Sequence, residues 1–65
     1  MSTIGKNIKR FRQDKGLSQD KLSKLADLSL NTVVKMELDE SPNPTIETVK
    51  KIAKSLGVSV DELLK

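Results

Sequence analysis

Three stripes of apolar residues follow the spacing of an amphipathic helix, in which every third or fourth position is apolar. Their members are Ile4, Ile8 and Phe11 in the first, Leu22, Leu25 and Ala26 in the second, and Ile46, Val49, Ile52, Ala53 and Leu56 in the third. No segment shows the strict alternation of a half-buried strand. The pattern predicts an all-α fold.

Two segments, KGLSQDKL and LGVSVDEL, repeat the same order of helix-ending and helix-starting residues. In each, a glycine (Gly16 or Gly57) is expected to end a helix in the left-handed conformation, which glycine adopts without steric cost. A serine two positions later, Ser18 or Ser59, is expected to cap the next helix. Glu62 completes a predicted capping box with Ser59.

The residue before each predicted cap is apolar and has an apolar partner five positions later, which is the hydrophobic staple. The pairs are Leu17 with Leu22, Leu28 with Val33, and Val58 with Leu63. By the same pattern, Ser29 caps a helix from about Leu30 to Leu38. Thr45, after a proline-containing loop at 38–44, caps the fourth helix. The chain therefore predicts five short helices.

The second and third predicted helices are separated only by Asp27, Leu28 and Ser29. Helices joined so tightly cross steeply and form a helix-turn-helix unit. Ala26 is small enough for a close approach of the two helices. Asp27 occupies the position where the turn requires a left-handed residue, which Asp tolerates better than most residues do.

Length and composition exclude several classes of protein. A chain of 65 residues forms one domain, 1–65, and it contains neither Cys nor His. We therefore expect no disulfide, no cofactor, no metal site and no enzymatic activity. Asp39 and Glu40 lack the ligand alternation of a calcium loop. Without an apolar run of roughly 20 residues or a secretory signal, the expected location is cytoplasmic.

Charge is distributed unevenly along the chain. Residues 1–25 carry seven Lys/Arg and two acids, a net of +5, and residues 26–65 carry five Lys and seven acids, a net of −2. A basic half indicates either an anionic partner, such as nucleic acid or a membrane surface, or a solubilising face. Membrane binding is disfavoured because the basic segment KNIKRFRQDK offers only Ile8 and Phe11 as apolar residues.

The pieces GLSQDKLSKLADLS and PTIETVKKIAKSLGVSVDELL, in this order and spacing, resemble the lambda-repressor-like (Cro/repressor, XRE) helix-turn-helix family. The similarity extends from Ile4 to Leu64. It implies a five-helix DNA-binding domain whose third helix enters the major groove. This chain departs from the family pattern at three places. Asp27 stands where glycine is usual, and the loop after the third helix carries the acidic residues Asp39 and Glu40. Ser23 stands where a small residue is usual, and its hydroxyl is expected to bond back to its own helix.

The resemblance also implies roles for individual residues. Gln19 matches a residue that anchors the second helix to the DNA backbone, and Asn43 matches a loop residue that touches a phosphate. Arg12 and Glu37 match an internal ion pair. The residues that match positions facing bases or adjacent phosphates are Leu30, Asn31, Thr32 and Lys35.

The chemistry of the third helix is compatible with these roles. On a helical wheel, Asn31, Thr32 and Lys35 lie opposite Val33 and Met36, which we expect in the core. An Asn side chain reads adenine, and a Lys side chain suits guanine or a phosphate. A Thr hydroxyl suits a phosphate or a base edge. Leu30 either contacts a thymine methyl group or packs on the preceding turn. The lysines at 50, 51 and 54 are expected to be solvated.

Sequence-specific binding of double-stranded DNA by a transcriptional repressor or regulator is therefore the leading hypothesis. Relatives commonly bind pseudo-palindromic operators as homodimers. The alternative is a protein-interaction module, such as a coactivator or an antitoxin, which would use the acidic loop and the apolar flank of Leu30, Val34 and Leu38. RNA binding is disfavoured because Phe11 is the sole aromatic residue. No small-molecule substrate is expected.

Overall fold

The computed structural model describes residues 3–38 and 45–65. Within these ranges the secondary structure is entirely helical. The helices are α1 (Thr3–Asp14), α2 (Gln19–Leu25), α3 (Leu30–Glu37), α4 (Ile46–Leu56) and α5 (Val60–Leu64). The all-α, five-helix prediction is confirmed. No helix in the described part of the chain is long and apolar enough to cross a membrane.

The predicted helix starts are confirmed by their caps. Ser18, Ser29, Thr45 and Ser59 have extended backbones, and each side-chain oxygen accepts a hydrogen bond from the backbone N–H three residues later. The Ser59 backbone N–H donates to Oε1 of Glu62 at 3.2 Å, which completes the capping box. A side-chain cap stabilises a helix by about 1 kcal/mol, which matters for helices this short.

Three left-handed residues separate consecutive helices, as predicted: Gly16 has φ 68°, Asp27 has φ 57° and Gly57 has φ 69°. After each one, the next residue donates its backbone N–H to the carbonyl five residues earlier, at 2.8–3.0 Å. This bond, typical of the Schellman motif, occupies a carbonyl at the helix end. The same local motif therefore turns the chain after α1, α2 and α4.

The core is built from all five helices and from Ala26, which caps α2 at its C-terminal end. Its buried apolar members are Ile8, Leu22, Ala26, Val33, Met36, Val49, Ile52, Ala53, Leu56 and Leu63. The predicted staple residues Leu17, Leu28 and Val58 are partly buried and pack against this cluster. They fix the angle at which the chain enters α2, α3 and α5.

Two members of the apolar stripes lie outside the core. Leu25 and Ile46 are both 58% exposed. Leu25 is the last residue of α2, and Leu22 and Ala26, four positions apart, already make the contact of that short helix with the core. Ile46 is the first residue of α4 and precedes the turn at which the helix meets the core.

Buried polar side chains are satisfied in the described part of the chain. Asn7 on α1 donates from Nδ2 to the carbonyl of Leu63 at 2.8 Å and to that of Glu62 at 3.4 Å. These bonds tie α1 to the end of α5. The Ser23 hydroxyl donates to the carbonyl of Asp20 at 2.6 Å, so the predicted bond back to its own helix is confirmed.

Candidate nucleic-acid interface

The helix-turn-helix unit holds α3 against α1 and α2. Val33 and Met36 are 0% and 3% exposed, so one face of α3 is buried in the core, as the helical wheel predicted. Only four residues, including the turn residue Asp27, lie between the end of α2 and the start of α3. The opposite face of α3 remains accessible.

Asn31 and Lys35 lie on this accessible face, one helical turn apart, and both are exposed. Among the described residues, neither side chain makes a hydrogen bond or an ion pair. Leu30, at the first position of α3, is 44% exposed. The structure thus presents an apolar group and an amide at the start of α3 and an ammonium in its last turn.

Thr32 differs from these residues because its hydroxyl already has a partner. Its Oγ1 lies 2.8 Å from Oγ of Ser29, and its backbone N–H donates to the same Ser29 oxygen at 3.1 Å. The side chain is partly buried. Thr32 therefore belongs to the cap of α3, a role that the sequence analysis did not predict.

A buried cluster of polar groups links α1, α2 and α3. Arg12 donates from Nε to Oε2 of Glu37 at 2.7 Å and from Nη2 to Oε1 at 3.0 Å. The two side chains are 11% and 3% exposed. Nη1 of Arg12 donates to the carbonyl of Leu17 at 2.7 Å. The ion pair that the resemblance implied is present in the structure, and it is bidentate, the strongest geometry for these groups.

Gln19, the first residue of α2, joins this cluster. Its Nε2 donates to Oε1 of Glu37 at 3.2 Å, and the residue is partly buried. Sequence reasoning missed this contact because 18 positions separate the two residues and no local pattern relates them. The structure thus brings Gln19 to the C-terminal end of α3, while Asn31 and Lys35 project from its other face.

Other predicted features are exposed or lie outside the described residues. Asn43 and the acidic residues Asp39 and Glu40 fall outside the described ranges. The lysines at 50, 51 and 54 are exposed, without an ion pair among the described residues. On the apolar flank, Leu30 and Leu38 are 44% and 62% exposed, and Val34 is partly buried.

The basic half of the chain presents most of its charge to solvent. Arg12 is buried and neutralised by Glu37, and the Lys and Arg residues at 6, 9, 10, 15, 21 and 24 are exposed. Lys24 pairs with Asp20 at 3.2 Å, but these side chains are 75% and 58% exposed, so solvent weakens their attraction. A cationic surface of this kind attracts a polyanion.

Comparison with known proteins identifies the architecture. A helix-turn-helix family model matches residues 8–63, which is most of the chain. The protein belongs to the lambda-repressor-like (XRE) helix-turn-helix family. The resemblance drawn from the sequence is therefore confirmed, and the match spans α2, the turn and α3 as well as the core helices.

Several curated members of the family are similar to this chain. The transcriptional regulator SinR of Bacillus subtilis is 34% identical over 61 residues, covering 94% of this chain and 55% of SinR. The immunity repressor of Bacillus phage phi105 is 32% identical over 62 residues, covering 95% of this chain and 42% of the repressor. The regulator PuuR of Escherichia coli is 34% identical over 58 residues, covering 89% and 31%. This chain therefore spans about half the length of SinR and less of the other two.

Solved structures of family members match the fold closely. The crystal structure of SinR, described as the master regulator for biofilm formation, in complex with DNA gives a TM-score of 0.91 at 34% identity, covering 95% of this chain and 98% of that one. The N-terminal DNA-binding domain of SinR gives 0.90, covering 95% and 90%. The named relatives are transcriptional regulators and a repressor, in agreement with the prediction of a non-enzymatic protein.

Proposed function

We propose that this protein is a transcriptional regulator that binds double-stranded DNA sequence-specifically, with α3 in the major groove. The observation that carries the proposal is the match to SinR in its complex with DNA, which covers 98% of that chain. The accessible face of α3, with exposed Asn31 and Lys35, adds support from this molecule itself.

Each group on α3 has a base or phosphate that it suits. The Asn31 amide donates to and accepts from adenine in a bidentate pair, and Lys35 donates to guanine or to a phosphate. Leu30, at 44% exposure, offers an apolar surface to a thymine methyl group. We assign Thr32 a smaller role in DNA binding, because its hydroxyl already makes a hydrogen bond with that of Ser29.

Contacts to the DNA backbone set the register of α3 in the groove without reading sequence. We assign this role to Gln19 at the start of α2 and to Asn43. The exposed cations of α1 and α2 add sequence-independent attraction, which weakens as salt rises. Together these groups provide the two components that DNA recognition needs, positioning and base readout.

The proposal extends to the mode of action. Residues 1–65 act as one DNA-binding domain, and two copies occupy a pseudo-palindromic operator whose half-sites lie about one helical turn apart. Repression is the proposed outcome, supported by the similarity to an immunity repressor.

The test is an amide chemical-shift titration of isotope-labelled protein with a mixed-sequence duplex, at low and then moderate salt. We expect shifts at Gln19, at residues 30–35 and at Asn43, fading as salt rises. If Lys35 contacts a phosphate, Lys35→Met should reduce the steepness of log affinity against log salt concentration by about 1. Lys51→Met, which changes an exposed lysine of α4, is the matched control and should leave binding by α3 unchanged.

A protein partner is the second candidate, because Leu30 and Leu38 expose apolar surface along α3. The same titration separates the two functions. Absence of shifts at low salt would overturn DNA binding and direct the search to partners of that flank.

A further inference from the structure

We infer that Glu37 is a positioning residue for DNA binding, which holds the side-chain amide of Gln19 in the orientation that contacts the DNA backbone. This inference rests on the proposed function, in which Gln19 is a backbone contact. It assigns to Glu37 a role beyond its ion pair with Arg12.

The geometry around Glu37 explains why its carboxylate can act as a fixed support. Oε1 accepts from both Gln19 and Arg12, at 3.2 and 3.0 Å, and Oε2 accepts from Arg12 at 2.7 Å. The Arg12 guanidinium is itself anchored to the Leu17 carbonyl. Only 3% of the Glu37 side chain is exposed, so these hydrogen bonds hold it in a buried site. Its position is therefore set by α1 and by the turn before α2.

A carboxylate selects one orientation of the glutamine amide. An ionised carboxylate only accepts hydrogen bonds. The Nε2 amide group of Gln19 therefore faces Glu37, and the amide oxygen of Gln19 faces away from it. One N–H of the amide is used by Glu37, and the other remains as a donor for a phosphate oxygen. Arg12 cancels the carboxylate charge, which reduces its repulsion of nearby phosphate.

Holding the side chain in advance lowers the cost of binding. A free glutamine loses rotamer freedom when DNA immobilises it, whereas a glutamine already held by Glu37 loses less. Ordering one such side chain costs enough to change affinity by about two- to tenfold. This is the size of effect that Glu37 should exert through Gln19.

The experiment compares four proteins: the wild type, Gln19→Met, the double variant Arg12→Met/Glu37→Met, and the triple variant. The double variant removes one positive and one negative charge, so the net charge that attracts DNA is unchanged. It also leaves no unpaired buried charge, and apolar replacement of a buried ion pair is often tolerated. Affinity for a mixed-sequence duplex is measured by fluorescence anisotropy at low salt, at a temperature where circular dichroism shows every variant folded.

If Glu37 acts through Gln19, the Arg12→Met/Glu37→Met change weakens binding by about two- to tenfold when Gln19 is present. The same change has no effect in the Gln19→Met background. An equal loss in both backgrounds would mean that the cluster only supports the fold and would overturn the inference. A wild type that does not bind would overturn the proposed function, and this role of Glu37 with it.

A second readout follows the amide group itself. In the wild type, the side-chain amide signals of Gln19 should differ from those of Gln13, which is exposed on α1. In the double variant they should approach the Gln13 signals, and unchanged Gln19 signals would contradict the inference. Gln13→Met is the matched control and should not alter affinity. If the double variant fails to fold, Glu37→Asp keeps the charge for Arg12 but withdraws the carboxylate by one methylene, and the same comparison applies.

Discussion

Removal of the Glu37 carboxylate should destabilise the whole domain. Glu37→Ala leaves the Arg12 guanidinium buried, with only 11% of its side chain exposed, and without the two hydrogen bonds at 2.7 and 3.0 Å. A buried charge that loses its partner costs several kcal/mol, since neither water nor another group replaces the lost bonds. The perturbation is thus much larger than the loss of one methylene-sized contact.

The expected loss is about 3–5 kcal/mol of unfolding free energy. A domain of 65 residues has in total roughly 3–10 kcal/mol, at about 0.05–0.15 kcal/mol per residue. Since 1 kcal/mol shifts the melting temperature of so small a domain by about 4–8 °C, the midpoint should fall by at least about 12 °C. A wild type at the lower end of this stability range would lose its fold entirely.

The assay is thermal unfolding followed by far-UV circular dichroism. Lys24→Ala serves as the control, because it breaks an ion pair whose side chains are 75% and 58% exposed. Such an exposed pair contributes less than about 1 kcal/mol. The apolar double variant Arg12→Met/Glu37→Met should remain much closer to the wild type than Glu37→Ala does. If Glu37→Ala melted within a few degrees of the wild type, the buried pair would not be holding α1 to α3 and the reasoning would be refuted.

Three further changes test other parts of the structure. Asn31→Ala should cost about 1–3 kcal/mol at the cognate operator and relax specificity at one base pair, as measured by binding to a panel of single-base operator variants; uniform weakening on all sequences would contradict base readout. Asn7→Ala should lower the unfolding free energy by about 1–3 kcal/mol in chemical denaturation, because two carbonyls of α5 lose their donor; Gln13→Ala, on the exposed surface, should leave it unchanged. Gly16→Ala should destabilise by roughly 1 kcal/mol through backbone strain alone, since φ is +68° and nothing lies within 4 Å of the added Cβ; an unchanged melting temperature would show that the turn relaxes.

Much of the fold could be predicted because it depends on local interactions. Ser18, Ser29 and Ser59 cap helices by bonding to groups three residues away, and Gly16 and Gly57 adopt the conformation that their lack of Cβ permits. These features involve neighbouring residues only. They can be read from a short window of sequence and were found where the pattern placed them.

The depth of burial along each apolar stripe could not be predicted from the sequence. Leu25 and Ile46 have helical spacing but remain 58% exposed, and each lies at the end of its helix. Periodicity predicts which face of a helix is apolar. The depth of burial along that face depends on where the neighbouring helices begin and end.

The candidate site likewise has features that follow from the sequence and one contact that depends on tertiary packing. The sequence by itself determined the helix-turn-helix and the chemical types on the accessible face of α3, since helical spacing places Asn31 and Lys35 opposite Val33 and Met36. Only the tertiary structure decided that Gln19 is held by Glu37 across 18 positions. Such a contact arises from the packing of three helices around one core, and no interaction between sequence neighbours encodes it.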